Sequence, residues 1–269
     1  MYLNFFGLRE QPFNITPDPR FLFLSPSHRE AMDSLLYGVL ERKGFIEILG
    51  EVGCGKTTLC RALLSQLGHQ VQTALILNPS ISETQLIRAI LRDLGGEPKS
   101  WRRLDLIEQL NAFLLDLLQR GVNVAIIIDE AQTLAPAVME QIRLLSNLET
   151  DDQKLMQIVL VGQPELERRL REPGLRQLRQ RIMVRAEIRP LEASDTVAYI
   201  AHRLHVAGAG PEVRFTPEAV AMVHRASGGI PRLINKICDR AMLAAYCRES
   251  RTVEESDITA AVHELENVL

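Results

Sequence analysis

The chain has 269 residues, 46% of them hydrophobic and 24% charged, with a formal net charge of −3 and a sequence pI near 6.1. This is an ordinary globular balance, long enough for one large domain and a smaller one, and without the global basic field that gathers nucleic acid. Four cysteines, Cys54, Cys60, Cys238 and Cys247, show no metal-ligand spacing, which excludes a disulfide scaffold and fits a reduced cytoplasmic setting.

The opening run Met1 to Leu8, followed by Arg9-Glu10, lacks the basic start and long apolar core of a signal peptide. No stretch approaches the roughly 20 apolar residues that span a bilayer, so any membrane anchor is expected outside this chain. Residues 1–43 read as an N-terminal segment and helix. Pro12 to Pro19 is too proline-rich for a helix, and Ser27-His28-Arg29-Glu30 opens an amphipathic helix towards Leu40.

Residues 44–189 alternate strands and helices, the pattern of a parallel sheet covered on both faces. The first strand, Phe45 to Leu49, runs into Gly50-Glu51-Val52-Gly53-Cys54-Gly55-Lys56-Thr57-Thr58, a complete Gly-x-x-x-x-Gly-Lys-Thr loop followed by a helix former. Its glycines let successive N–H groups wrap a polyphosphate. Lys56 can reach the β- and γ-phosphates, the Thr57 hydroxyl can sit on Mg²⁺, and the following helix adds its positive end. Nine consecutive residues, 50–58, are therefore candidate ATP contacts.

A second strand is expected over Thr73 to Leu77, and Ser82 with Gln85 forms a capping box for a helix through Leu94. Gly95-Gly96-Glu97-Pro98 breaks it, and another helix covers Leu104 to Leu118. The apolar run Val124 to Ile128 then ends in Asp129-Glu130, at the end of a strand where open α/β sheets bind ligands. Asp129 is the candidate second metal ligand, and Glu130 the candidate base that orients and deprotonates the attacking water. The strand Ile158 to Gly162 ends at Gln163-Pro164, where Gln163 could bond the γ-phosphate or that water. The fifth strand is Ile182 to Ile188.

The pattern changes at Arg189-Pro190-Leu191. Residues 190–269 carry no strand signal and read as a four-helix lid: Asp195–Val206, Pro217–Ala226, Pro231–Arg248 and Ser256–Glu266, the second opened by Thr216 as N-cap and Pro217. The six histidines suggest no metal site.

A five-stranded α/β phosphate-loop domain followed by an all-helical lid resembles AAA+ ATPases. That resemblance implies two arginines around the nucleotide. Arg232, in Gly228-Gly229-Ile230-Pro231-Arg232, matches the lid arginine that touches its own subunit's γ-phosphate, with Pro231 beside it. Eight arginines lie between Arg168 and Arg189; Arg181, directly before the last strand, is the candidate finger reaching a neighbour's ATP, with Arg179 the alternative.

More narrowly, Phe5 to Phe13, Thr16 to Leu24, His28-Arg29-Glu30-Ala31, Asp129-Glu130-Ala131-Gln132 and Gly162-Gln163-Pro164-Glu165-Leu166 resemble the general secretion pathway protein A (ExeA-type) group. The resemblance spans essentially the whole chain. It implies self-assembly into a ring or filament through the Arg181 edge. It also implies envelope secretion, pilus or polysaccharide-export partners, and a cytoplasmic location, at the inner membrane only through a segment or partner not in this chain. Longer members continue into a membrane helix and a peptidoglycan-binding domain; this chain carries neither, so it reads as a shorter member or the ATPase portion of a longer one. By the same likeness Phe13, Ile15 and Phe23 are candidate adenine contacts, with core packing as their other role. The competing function is a DNA-binding AAA+ regulator of the transposition or replication-initiator type, for which the arginine cluster could supply a backbone-gripping stripe. A third is a nucleotide-dependent scaffold that hydrolyses ATP very slowly.

Overall fold

Five short runs rich in Val, Ile and Leu become the strands of one parallel sheet: β1 Phe45–Gly50, β2 Val71–Ile76, β3 Asn123–Ile128, β4 Gln157–Gly162 and β5 Ile182–Ile188. The computed structural model describes residues 2–77 and 80–266. The strands are ordered β2-β3-β4-β1-β5. Every residue of β3 and β4 is buried, as expected of strands covered on both faces, whereas the edge strand β5 alternates. The first strand in sequence thus lies fourth in space. Leu49 is opposite Gly162 of β4, and Gly50 is opposite Ile188 of β5. Gly50 therefore ends β1 at the carboxyl edge of the sheet, between β4 and β5.

The chain divides into two compact units. One comprises Ser27–Gly50 and Leu59–Ile188 and contains the sheet. Its helices are α2 Pro26–Leu40, α3 Lys56–Leu67, α4 Glu83–Asp93, α5 Arg103–Gln119, α6 Pro136–Leu145, α7 Pro164–Leu170 and α8 Arg176–Arg181, of which α2 and α3 begin just outside it. Apolar residues at helical spacing on α4 (Leu86, Ile87, Ile90) and α5 (Leu106, Leu110, Leu114) join Ile126, Ile128, Ile158 and Leu160 in one core. The capping box at α4 is formed: Gln85 N donates to Ser82 Oγ at 3.3 Å and Ser82 N to Gln85 Oε1 at 2.9 Å.

Glu47 lies in the middle of β1 and is 1% exposed. Its register partner on β5, Arg185, brings Nε to 3.2 Å from Oε2, yet neither carboxylate oxygen has a well-directed hydrogen bond. Burial pushes this carboxyl above its ordinary 4.5, and Arg185 offsets part of the effect. Between the unfolded and folded pKa the native state holds a proton that the unfolded chain has released, so this group's contribution to stability falls as pH rises through that window. Urea unfolding of Glu47→Gln and the parent from about pH 4 to 7.5 should show the difference moving in the variant's favour as pH rises; a pH-independent difference would contradict this.

The other unit comprises the residues up to Pro26, Glu51–Thr58, and those from Arg189 onward. It holds α1 Tyr2–Phe6 and the four helices α9 Ala193–Val206, α10 Pro217–Ser227, α11 Pro231–Cys247 and α12 Glu255–Glu266. Ala219 N donates to Thr216 Oγ1 at 3.2 Å, the N-cap read from the sequence. Two parallel two-residue strands, β6 Arg214–Phe215 and β7 Thr252–Val253, add to the helices where no strand was expected; two residues cannot show a period of two. The proline-rich N-terminal segment is fastened here. Arg203 of α9, 7% exposed, donates to the carbonyls of Pro12 (2.5 Å) and Asn14 (2.9 Å) and lies 4.5 Å from the centre of the Phe21 ring.

Candidate nucleotide-binding site

The phosphate loop turns where its glycines allow: Gly53 and Gly55 have φ of +85° and +95°. Cys54 N donates to Glu51 O at 3.2 Å, and Lys56, the first residue of α3, returns its Nζ to the same carbonyl at 3.0 Å. Thr57 and Thr58 follow in the first turn of that helix, so the residues proposed for phosphate and metal sit where a helix N-terminus favours an anion. Lys56 is buried, and Cys54 is fully buried, with desolvation pushing its thiol above the usual range. Cys54 is therefore a small space-filling residue of the loop and a poor nucleophile.

Gly53 also meets the lid. Pro231 and Arg232 open α11, and Arg232 N donates to Gly53 O at 3.2 Å. A Cβ on Gly53 would fall 2.6 Å from Arg232 Cβ and 3.2 Å from Ile230 Cγ2. The lid arginine is thus joined to the phosphate loop through its backbone, while its side chain remains exposed.

Asp129 follows β3, is 2% exposed, and its N–H continues the strand ladder to Ile76 O at 2.9 Å. Glu130 N caps the Asp129 carboxylate at 2.9 Å, and Glu130 adopts a left-handed backbone with φ +52°. This turn redirects the Glu130 side chain. Its Oε2 accepts from Gln163 Nε2 at 3.1 Å and from Gln132 Nε2 at 2.6 Å. Two of the expected catalytic residues, Glu130 and Gln163, are therefore directly bonded. Gln132 was legible only as part of the Asp-Glu-Ala-Gln motif; nothing in its spacing announced this contact.

Arg181 ends α8, and its Nη1 donates to Ser146 Oγ (2.5 Å) and Asn147 Oδ1 (2.6 Å). Of the three candidate base contacts, Phe13 is buried edge-on to Phe215, Phe23 packs on Tyr199 and His202, and Ile15 is 56% exposed.

These residues suit magnesium and a nucleoside triphosphate. By residue chemistry, Lys56 carries the charge that suits phosphate, and Thr57 and Asp129 each carry the hard oxygen that suits magnesium. Among the described residues no three His, Cys, Asp or Glu side chains form a metal cage, and an ion sharing phosphate oxygens needs none. No described helix is long and apolar enough to cross a membrane.

Residues 39–170 match the family model described as an AAA domain. Among solved structures, the Aeropyrum pernix ORC2 protein superposes with a TM-score of 0.71 at 18% identity, covering 95% of this chain and 71% of that one. Cdc6p from Pyrobaculum aerophilum gives 0.70 at 19% identity, covering 92% and 70%. The Thermotoga maritima RuvB Holliday junction branch migration motor gives 0.57 at 18%, covering 88% and 69%. At such identities the likeness establishes the fold alone. The fold is that of the AAA+ class.

Among curated proteins, the General secretion pathway protein A of Aeromonas hydrophila is 47% identical over 270 residues, covering 100% of this chain and 49% of the relative. The chain belongs to this ExeA-type family and spans about half the length of that relative.

Proposed function

We propose that this chain hydrolyses ATP with magnesium at subunit interfaces, and that the cycle drives assembly or remodelling of a bacterial envelope secretion, pilus or export complex. The observation that carries the chemistry is the complete phosphate loop headed into α3 by Lys56. Residues Gly50 to Thr58 would cradle the phosphates, and Thr57 and Asp129 would hold magnesium, which would supply charge neutralisation at the transferring phosphate. Glu130 takes a proton from water as that oxygen bonds to the γ-phosphorus and the bridging P–O bond breaks, leaving ADP and phosphate. Gln163 orients the water, and Arg232 meets the γ-phosphate of its own subunit. The secretion role is supported by the 47% identical relative, which is named for the general secretion pathway.

Arg181 is proposed to complete a neighbour's site. Its Nη1 is anchored, and among the described residues its remaining guanidinium N–H groups have no acceptor. Arg181→Ala and Glu130→Gln should each lower turnover, with about 10³-fold expected for the finger. Mixing the two inactive proteins should restore activity, because some interfaces then pair an intact Arg181 with an intact Glu130. No recovery on mixing, or full turnover by Arg181→Ala, excludes a finger in trans.

A further inference from the structure

Gln132 joins two segments that the proposed chemistry needs aligned. Its Nε2 donates to Glu130 Oε2 at 2.6 Å, and its Oε1 accepts from the backbone N–H of Gln163 at 3.2 Å. Only one orientation of the amide satisfies both contacts, because a flip would set oxygen against carboxylate and NH₂ against N–H. The surroundings are shaped for this side chain. Gly162 lies beneath it, where a Cβ would stand 3.0 Å from Gln132 Oε1 and 2.8 Å from Leu166 Cδ2. Arg169 of α7 donates to the backbone carbonyls of Gln132 and of Leu134, fixing the turn that carries it. The two side-chain amides, of Gln132 and Gln163, both bond Oε2 of Glu130; Oε1 takes no hydrogen bond from the described residues.

We infer that Gln132 is a positioning residue for hydrolysis: it locks the Glu130 carboxylate to the end of β4 so that Oε2 is held and Oε1 is presented to the attacking water. Gln132 does not touch the reacting atoms. It keeps Glu130 and Gln163 at a constant separation, so that base and water-orienting amide move as one body. The inference rests on Glu130 acting as the base.

The test uses the intact chain and three variants. Gln132→Met keeps length and bulk but removes both hydrogen bonds; kcat should fall about 10- to 100-fold, the scale of a base displaced by about an ångström, with KM for ATP, fluorescent-nucleotide affinity and Tm near the parent. Gln132→Glu should be impaired at pH 8 and recover as pH falls and the new carboxyl protonates to a donor, an acid limb absent from the Gln132→Met profile. Glu130→Gln should abolish turnover, and adding Gln132→Met to it should cost nothing more. If Gln132→Met turns over within twofold of the parent while Glu130→Gln is inactive, the positioning role is wrong and the base assignment stands. If Glu130→Gln itself remains active, both are wrong. Equal losses in kcat, affinity and Tm for Gln132→Met would mark a structural role and overturn the inference.

Discussion

Lys56→Ala should lower ATP turnover by about 10³-fold and weaken nucleotide binding correspondingly, while leaving the sheet folded. One preorganised donor at a developing charge is worth about 10²–10³ in rate, and Lys56 adds a full charge at the phosphates. The lysine is 5% exposed, and its Nζ already bonds Glu51 O at 3.0 Å, so little conformational entropy remains to be lost when a phosphate arrives. Removing it leaves that carbonyl its bond from Cys54 N, so the loss should be that of one ordinary hydrogen bond, about 0.5–1.5 kcal/mol, and urea unfolding must accompany the assay. Lys154→Ala is the matched control. That lysine pairs with Glu149 on the surface, where an ion pair is worth about 0–1 kcal/mol, and its loss should be silent in turnover. Calorimetry showing magnesium-dependent ATP binding undiminished in Lys56→Ala would place the nucleotide elsewhere.

Much of this arrangement was readable because it is local. The run Ile182 to Ile188 announced its strand to the residue, and Ser82 with Gln85 announced a cap, since each depends only on side chains a few positions apart. The second strand was read two residues late, because polar Gln72 hides the start of the apolar run. The helices α6, α7 and α8 did not stand out. Two are short, and α6 opens on Pro136, a residue that otherwise signals a break. The placing of β1 between β4 and β5 is a long-range outcome that no window contains.

The site divides in the same way. The phosphate loop and Asp129-Glu130 are contiguous motifs and were plain. The bonding of Glu130 to Gln132 and Gln163 was hidden, because it depends on a left-handed backbone at a glutamate and on where β4 ends. Left-handed conformation outside glycine costs about 1–3 kcal/mol and persists only where neighbours impose it. Here the imposed turn brings the proposed base to its partners.

Gly53→Ala should damage nucleotide binding and stability together. The residue would have to hold φ +85°, costing about 1–2 kcal/mol for an L-amino acid. Its methyl would also overlap Arg232 Cβ at 2.6 Å, and such overpacking typically adds about 1–3 kcal/mol. Arg232 cannot yield cheaply: its Cβ is fixed to the first turn of α11, and its N–H is bonded to Gly53 O at 3.2 Å. The strain must therefore open the loop or move the helix start, and each displaces a residue assigned to the phosphates. ATP affinity should fall more than about tenfold, together with a lower unfolding midpoint. Gly174→Ala, at a site with ordinary φ and nothing within 4 Å of the new methyl, should change stability by no more than about 0.5 kcal/mol. If Gly53→Ala binds ATP and unfolds like Gly174→Ala, the loop does not bear on the lid helix as described, and Arg232 loses the anchor that makes it a candidate for the γ-phosphate.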